Sequence, residues 1–460
     1  MLKLSMICKA LSVESALPQD TGFTDVITDS RALVPGCLFL ALVGEKFDGH
    51  GFVARALAEG AAAAVVSRVP EGVDPDKCLV VPDTLKAYQQ IATAWRLAQK
   101  DLTVIAITGS NGKTSTKDCI AAVLGEKYRV IKTQANFNNE IGLPKTLLTI
   151  RPDTEMAVVE MGMRGLGQIR AMKHIAYPDG AVITNVGDTH LELLGSLENI
   201  AKAKSEILED FTPKNHAFLN GDDPRVSVMK TGATVHFYGI DSDADVKAIQ
   251  IKADGLSTTF TYRSRITGNT QTVKLPLLGR HNVMNALAAV AVGEVYGVSD
   301  QAIAHGLENL KMTGMRQEIL HFGDVTVIND AYNASPASME VGLRTLADVV
   351  KNQGRGRAIA VLADMLELGA HSQSGHAQVG RWCGEDGVDA LICYGPESRY
   401  TAAEAKKAGV PVQYVENKEA AARALEALVQ PGDVVLLKGS HGMEVFKLID
   451  LVFRKEGKAQ

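Results

Sequence analysis

The sequence predicts an α/β protein of three domains, in which helices cover mainly parallel sheets. The chain has 460 residues, which corresponds to about three domains at roughly 150 residues each. Short apolar runs of strand length alternate with amphipathic helical stretches, a pattern typical of parallel sheets covered by helices. The hydrophobic fraction of 46% and the charged fraction of 22% match a globular composition and exclude a mainly disordered chain.

The charge and cysteine content narrow the function classes. Lys and Arg total 48 against 53 Asp and Glu, a net charge of −5, so we expect a small-molecule partner and no nucleic acid. The six cysteines include no Cys-x-x-Cys pair and indicate small core residues in a reducing compartment. No run of about 18 uncharged apolar residues occurs. We therefore expect a cytoplasmic protein without membrane insertion.

The first predicted domain, residues 1–98, is a small α/β unit. Strand-like runs at 37–44 and 61–67 flank the helical spacing of FVARALAEG. The string GHGFVA formally fits the G-x-G-x-x-A dinucleotide fingerprint, but an acidic residue at the end of the next strand is missing. We interpret it as a tight turn before a helix. An NAD(P)-dependent dehydrogenase stays an alternative if this domain binds a dinucleotide.

The second and third predicted domains, 99–312 and 313–460, each contain a βα series. Alternating residues between 244 and 279 indicate antiparallel strands in the second domain, before a helix at 281–297. The third domain is Rossmann-like. The expected strands of the two series lie at 103–108, 157–160, 181–186, 216–220, 326–330, 358–364, 390–395, 412–416 and 433–438.

A glycine loop between a β-branched strand and an amphipathic helix is the strongest local signal. Such a loop turns backbone N–H groups toward an anion, and the helix N-terminus adds partial positive charge. Lys113 can reach the β/γ-phosphates and Thr114 can bind Mg²⁺, so the pattern predicts ATP. The first glycine of the full Walker A pattern is missing. The loop comprises Gly109, Ser110, Asn111, Gly112, Lys113, Thr114 and Ser115.

Glu160 and His190 are candidate metal ligands. Glu160 ends the apolar strand MAVVE, and a carboxylate at the carboxyl edge of a strand beside a P-loop is well placed for Mg²⁺. His190 follows the strand AVITNV in the loop GDTH. Each residue alone is more often an ordinary surface group, and the P-loop makes the pair plausible metal partners.

Lys204 interrupts an apolar helical stripe in ENIAKAKSEILEDF, which runs from Ile200 to Phe211. In one interpretation the side chain extends along the stripe to water. In the other it is buried, which favours the neutral amine, and a neutral amine reacts with CO₂ to give a carbamate. A carbamylated Lys204 would be a long-armed anion able to hold a second Mg²⁺.

The chain resembles the Mur ligase family, which builds peptidoglycan precursors by ATP-driven amide formation. The resemblance rests on strings in the family's order along nearly the whole chain. These are DSRALVPGCLFLALVGEKFDGHGF, ITGSNGKTS, ANFNNEIGLP, VVEMGMR, NVGDTHLELLGS, AKSEI, LGRHNVMNALAA, INDAYNASPASM and LADMLELG. The first of them is similar to the uridine-nucleotide domain of the family.

The resemblance implies catalytic roles for Lys113, Glu160, His190 and carbamylated Lys204. Thr114 and Glu160 would hold one Mg²⁺, and His190 and Lys204 a second. The residues implied to hold ATP, beyond the loop, are Asn282, Arg316 and Asp330. Those implied to face the UDP-linked substrate, or to lie at ligand-binding strand ends of the third domain, are Ser30, Arg31, His50, Asn138, Asn139, Tyr332, Asn333 and Asp364.

The third-domain strings resemble family members that add D-alanyl-D-alanine to UDP-N-acetylmuramoyl-tripeptide. This implies a monomeric, ADP-forming ligase that works through an acyl phosphate. The alternatives are a Mur-type ligase that adds an amino acid to a UDP-muramoyl peptide, and a regulator that binds ATP without catalysis. His441 departs from the family pattern, because Arg is frequent after KGS.

Overall fold

The computed structural model describes residues 2–187, 189 and 191–454. Three α/β units follow one another along the chain, each around its own parallel or mainly parallel sheet. The predicted fold class is therefore confirmed. The domain boundaries, 1–98, 99–312 and 313–460, stay predictions.

The N-terminal unit contains a four-stranded parallel sheet in the order β3-β4-β5-β6 and a small antiparallel pair, β1-β2. GHGFVA forms a tight turn before a helix: a Cβ at Gly49 would lie 2.6 Å from the Leu42 carbonyl oxygen, so only glycine fits there. The elements are β1 Leu2–Lys3, α1 Leu4–Leu11, β2 Gly22–Phe23, β3 Val26–Ile27, β4 Leu38–Leu40, α2 Val53–Ala58, β5 Ala63–Val66, β6 Cys78–Val80 and α3 Thr84–Ala98.

The central unit contains a nine-stranded sheet in the order β15-β14-β13-β12-β11-β10-β7-β9-β8. The strands from β7 to β13 that neighbour one another are parallel, and β13, β14 and β15 form the predicted antiparallel extension. The elements are β7 Thr103–Thr108, α4 Lys113–Gly125, β8 Val130–Lys132, α5 Gly142–Leu148, β9 Met156–Glu160, α6 Gln168–Ala176, β10 Gly180–Ile183, α7 Leu191–Leu194, α8 Leu197–Ser205, β11 His216–Asn220, β12 Thr234–Gly239, β13 Val246–Asp254, β14 Ser257–Ser264, β15 Thr270–Leu275, α9 Arg280–Val295 and α10 Asp300–Glu308.

The helix that carries Lys204 is shorter than the apolar stripe predicts. It ends at Ser205, and residues 206–208 form a 3₁₀ turn. The buried Glu206 carboxylate accepts hydrogen bonds from the N–H groups of Gly167 and Arg170, at 2.7 and 3.1 Å. These bonds satisfy the free N–H groups at the start of α6 and lie at the point where α8 stops.

The C-terminal unit contains a six-stranded sheet in the order β16-β17-β21-β18-β19-β20, in which only the edge strand β16 is antiparallel. Open sheets of this kind bind ligands at the carboxyl ends of their strands. The elements are β16 Glu318–Phe322, β17 Val325–Asp330, α11 Pro336–Gln353, β18 Ala358–Ala363, α12 Ser372–Glu385, β19 Ala390–Tyr394, α13 Ser398–Lys407, β20 Val412–Val415, α14 Lys418–Leu428 and β21 Val434–Lys438.

Two features agree with the composition. All six cysteines are free and buried. Within the described ranges, no helix has the length and apolar character needed to cross a bilayer.

Candidate functional site

The glycine loop connects β7 to α4 at the carboxyl edge of the central sheet. Two glycines are required by their surroundings. Gly112 has a φ of 79°, and a Cβ there would lie 2.8 Å from Asn285 Oδ1. A Cβ at Gly109 would collide with the hydroxyl of Thr184. The loop is thus packed closely against α9 and the end of β10, which fixes its backbone.

Lys113 reaches back over this loop. Its Nζ donates to the carbonyl oxygens of Gly109, at 2.7 Å, and Ser110, at 3.1 Å. Burial lowers the pKa of Lys113, the Glu160 carboxylate opposes this effect, and the Arg316 guanidinium adds to it. Lys113 therefore lies in the electrostatic field of groups from both larger units.

Glu160 lies beside the loop because β9 pairs with β7, with Glu160 opposite Ile107. Its side chain is buried, and Thr114 Oγ1 donates to Oε2 at 2.7 Å while Asn138 Nδ2 donates to Oε1 at 2.9 Å. In the part of the chain that the structure describes, Glu160 forms no ion pair. The charges of Lys113 and Lys117 act on this carboxylate from a longer range, and hydroxyl and carboxylate oxygens are the ligands that Mg²⁺ prefers.

Lys204 is buried at 2% exposure, so the interpretation in which its side chain extends to water is wrong. Its amine makes no hydrogen bond or ion pair within the described ranges. Burial, and then the neighbouring charge of Lys113, hold the pKa of Lys204 well below its usual value. The structure therefore favours a neutral amine at this position. His190, the predicted partner of Lys204 at a metal, lies outside the described residues.

The predicted nucleotide residues outside the loop lie together where the central and C-terminal units meet. Gln317 connects two of them: its Oε1 accepts from Asn282 Nδ2 at 2.9 Å, and its backbone N–H donates to Asp330 Oδ1 at 3.3 Å. The Arg316 guanidinium lies 3.9 Å from the centroid of the Tyr332 ring. The charge of Arg316 contributes to the lowered pKa of Lys113. Arg316, and with it Tyr332, therefore lies near the loop.

Two predicted residues of the C-terminal unit hold their own loops. Asp364 is buried, and its Oδ1 accepts from the N–H and the hydroxyl of Ser398, both at 2.7 Å. Asn333 Oδ1 accepts from the N–H of Ala334 at 2.8 Å. These bonds give both side chains a local structural role, and their substrate roles stay predictions.

The predicted residues of the N-terminal unit do not converge on one point. His50 is buried, with Nδ1 2.6 Å from Asp48 Oδ1 and Nε2 accepting from the N–H of Ser67 at 2.8 Å. Both ring nitrogens of His50 are thus engaged within the unit. Arg31, by contrast, is exposed and forms an ion pair with Asp29 at 2.7 Å.

The remaining predicted residues are one residue of the N-terminal unit, Ser30, and two residues of the central unit, Asn138 and Asn139. Asn139 Oδ1 accepts from the N–H of Gly142 at 2.8 Å and so begins α5. Ser30 is half-buried beside Asp29, whose pKa is lowered mainly by its hydrogen bonds with Arg31 and, to a smaller extent, by the charge of Lys145 on α5. The predicted substrate residues Ser30, Asn138 and Asn139 are therefore on neighbouring segments.

Sequence reasoning missed several residues of this site. Lys438 Nζ forms an ion pair with Asp330 Oδ2 at 2.5 Å, and Thr116 Oγ1 donates to Asn285 Oδ1 at 3.0 Å. A signal existed for two of them. Lys438 ends an apolar strand, and Asn285 lies three residues after Asn282 on the otherwise apolar helix α9.

Three protein-family models match the chain. They are described as "Mur ligase family, catalytic domain" for residues 23–96, "Mur ligase middle domain" for residues 107–293 and "Mur ligase, glutamate ligase domain" for residues 315–441. The UDP-N-acetylmuramoyl-tripeptide–D-alanyl-D-alanine ligase of Bacillus subtilis is 40% identical over 439 residues, which cover 94% of each chain.

Solved structures agree with these matches. The crystal structure of MurF from Acinetobacter baumannii is 32% identical, with a TM-score of 0.87, and covers 98% of this chain and 99% of that one. MurF ligase from Thermotoga maritima in complex with ADP is 28% identical, with a TM-score of 0.83, over 94% of this chain and 97% of that one.

Proposed function

This chain belongs to the Mur ligase family, and we propose that within it the chain joins D-alanyl-D-alanine to UDP-N-acetylmuramoyl-tripeptide at the expense of ATP. The choice of substrates is supported by a 40% identical relative, named for this reaction, that covers nearly the whole chain. The reaction type is supported by one observation above all. The P-loop hydroxyl of Thr114 donates a hydrogen bond to the buried carboxylate of Glu160.

The reaction has two steps. The terminal carboxylate of the tripeptide attacks the γ-phosphorus of ATP, the bond to the ADP oxygen breaks, and an acyl phosphate forms. The free amine of D-alanyl-D-alanine then attacks the acyl carbon, loses a proton and expels phosphate. Negative charge develops on the transferred phosphoryl group, so fixed cations around it lower the barrier.

The side chain of Lys113, which lies against the loop backbone, supplies one of these cations. Arg316 supplies another from the C-terminal unit. Asn282 and Asp330 hold the nucleotide on the side away from the phosphates. Thr114 and Glu160 fit one Mg²⁺ because they place a hydroxyl and a carboxylate oxygen together at a buried site beside the loop. When bound, Mg²⁺ supplies positive charge to the phosphoryl oxygens.

Carbamylated Lys204 is the proposed anionic ligand of a second Mg²⁺, and His190 is proposed as a further ligand of the same ion. The lone pair of the neutral amine attacks the carbon of CO₂, and the amine then loses a proton to leave a carbamate anion. Three properties of Lys204 support this step: the buried side chain, the lowered pKa and the absence of a partner for the amine among the described residues. Carbamylation also replaces repulsion from Lys113 with attraction.

The proposed substrate residues fall into two groups, one for each substrate. Ser30, Arg31, His50, Asn138 and Asn139 serve the UDP-linked substrate from the N-terminal and central units. Tyr332, Asn333 and Asp364 lie in the C-terminal unit, and we propose that D-alanyl-D-alanine binds there. The cytoplasmic location and the monomeric state stay predictions.

The test is product formation with defined substrates. Purified protein is incubated with ATP, Mg²⁺, D-alanyl-D-alanine and UDP-N-acetylmuramoyl-tripeptide ending in lysine or in diaminopimelate, and products are identified by mass spectrometry. We expect one phosphate released per pentapeptide product, and no product when free D-alanine replaces the dipeptide. ATP hydrolysis without product, or transfer of a single amino acid, would contradict the proposal.

A further inference from the structure

Among the residues that the structure describes, the segment that connects α10 to β16 is hydrogen-bonded to the P-loop helix at Thr313. Asp118, on α4, is buried, and its Oδ2 accepts from the backbone N–H of Thr313 at 2.7 Å. Asp118 Oδ1 accepts from Thr313 Oγ1 at 2.9 Å and from Lys132 Nζ at 2.6 Å. One buried carboxylate therefore holds both the main chain and the side chain of Thr313.

A second buried charge on α4 belongs to the same network. Lys117 Nζ donates to the carbonyl oxygen of Thr133 at 2.8 Å and lies 3.4 Å from Thr313 Oγ1. The hydroxyl of Thr133 accepts from the N–H of Glu160 at 3.0 Å. The attachment of Thr313 is thus continuous, through hydrogen bonds, with the strand end that carries the proposed metal ligand.

Residues just beyond Thr313 have unusual backbone conformations and contact the nucleotide residues. Met315 and Gln317 have φ values of 62° and 52°, a left-handed region that costs non-glycine residues free energy. Arg316 lies between them, over the ring of Tyr332. Among the described residues, Thr313 bonds this stretch to the central unit on one side of Arg316, and Gln317 bonds it to Asn282 on the other side. Thr313 is therefore the attachment that holds the chain leading into Arg316.

We propose that Asp118 and Thr313 form a latch. The latch holds Arg316, and with it the C-terminal unit, in a fixed position relative to the P-loop. Asp118 is a positioning residue, which touches neither nucleotide nor substrate and acts through Thr313. The consequence for catalysis rests on the proposed function. The latch itself is a mechanical link, and the change in overall size when an ATP analogue binds tests it without turnover.

The central variant is Thr313→Val, which keeps the backbone N–H bond to Asp118 and removes the hydroxyl bond. Thr313→Ser restores the hydroxyl. Thr401→Val is the matched control, because Thr401 is a buried threonine whose hydroxyl donates to the His376 carbonyl at 2.9 Å, away from the site. Asp118→Asn is the stronger variant and serves as a second test when it folds.

The latch predicts a split between binding and turnover. Because a misplacement of about 1 Å at a catalytic group can cost ~100-fold, we expect Thr313→Val to lose at least about tenfold in kcat. Its Kd for ADP and its KM for ATP should stay within about twofold of wild type, and Thr313→Ser and Thr401→Val should keep wild-type kcat. A Thr313→Val protein with lower thermal stability but unchanged kcat would overturn the latch and leave a purely structural contact.

A readout without substrates separates this proposal from the proposed function. Small-angle scattering should show that the wild-type protein becomes more compact with Mg²⁺ and a non-hydrolysable ATP analogue, and that Thr313→Val compacts less. Equal compaction of both proteins would overturn the latch even if the ligase activity is found. Compaction that differs as expected in a protein without ligase activity would keep the latch and reject the proposed reaction.

Discussion

Lys204 on α8 and Lys438 at the end of β21 are buried to the same degree, 2% and 1% exposed, but their amines have different surroundings. Lys438 Nζ lies 2.5 Å from Asp330 Oδ2 and 3.2 Å from the Asn333 carbonyl oxygen. Lys204 has no partner within the described ranges, and its neighbouring charge is the cation of Lys113. Burial alone therefore does not identify a reactive lysine; the partners of the amine do.

The difference follows from the strand and helix that carry each lysine. Lys438 pairs across the sheet with Asp330 at the carboxyl edge, where β17 and β21 are parallel neighbours. Its charge is balanced within the C-terminal unit by Asp330, a residue that we propose contacts the nucleotide. Lys204 lies in the last turn of α8, where the neighbouring charge is that of Lys113 on the P-loop helix, and the proposed carbamate would attract this charge.

The largest expected effect is that of Lys113→Ala. The hydrogen bonds of Lys113 Nζ go to carbonyl oxygens of its own loop, so we expect the fold to persist. Turnover should fall at least about a thousandfold, because a cation at the transferred phosphoryl group is lost. Phosphate release and circular dichroism measure the two properties. Near-normal phosphate release would reject the assignment of the loop as an ATP site.

Variants of Lys204 test the lysine whose amine has no partner among the described residues. Lys204→Ala should lose at least about a hundredfold in kcat, and an excess of a short carboxylic acid should restore part of the activity by filling the vacated anion site. Lys204→Arg should stay inactive, because it keeps a positive charge and cannot be carbamylated. Full activity of Lys204→Arg in the phosphate-release assay would end the carbamate hypothesis.

Lys438→Met tests the paired member. Removing one partner of a buried ion pair leaves an uncompensated charge and typically costs about 3 to 5 kcal/mol, so the free energy of unfolding in urea should fall by that order. The double variant Lys438→Met with Asp330→Asn should regain part of this loss. A Lys438→Met protein as stable as wild type would mean that Asp330 finds another partner, and the contrast with Lys204 would lose its basis.

Glu294 extends the comparison to a buried acid with a smaller effect. Burial raises the pKa of Glu294 to about 7, and Ser264 Oγ donates to its Oε2 at 2.5 Å. Between pH 4.5 and about 7, Glu294 is ionised in the unfolded chain and keeps its proton in the folded chain. The contribution of Glu294 to the free energy of unfolding is therefore fully present below pH 4.5 and is lost as the pH rises through about 7.

Glu294→Gln should therefore raise the melting temperature at pH 8 and leave it unchanged near pH 4. We expect a gain of at most about 3 kcal/mol, because the pKa rises from 4.5 to about 7 and one pKa unit corresponds to about 1.4 kcal/mol. The exposed Glu308 provides the control variant Glu308→Gln. A gain that is independent of pH would show that ionisation of Glu294 is not the cause.

The sequence predicts the elements that have a strong local pattern. β7 and β11 begin and end where the apolar runs do, at 103–108 and 216–220, because central parallel strands are apolar on both faces. β12 was not predicted. It borders the antiparallel extension, and side chains such as His236 are half-buried, so Thr234–Gly239 lacks both a continuous apolar run and a clean alternation.

The parts of the site that depend on distant contacts could not be predicted. The Glu206 carboxylate, at the end of α8, accepts hydrogen bonds from the start of α6, and no local pattern announces this contact. The hydrogen bond between Asp118 and Thr313 joins residues 195 positions apart. The P-loop and Glu160 were found because a strand, a glycine loop and a strand-end carboxylate are each local signals. For Lys204 the sequence left burial open, and the structure decides it.

Carbon-13 NMR of protein equilibrated with ¹³C-labelled bicarbonate tests the central contrast most directly, because it detects the carbamate itself. We predict a carbamate signal in the wild-type protein and in Lys438→Arg, and its loss in Lys204→Arg. A wild-type spectrum without that signal, or a signal that survives in Lys204→Arg, would contradict the account.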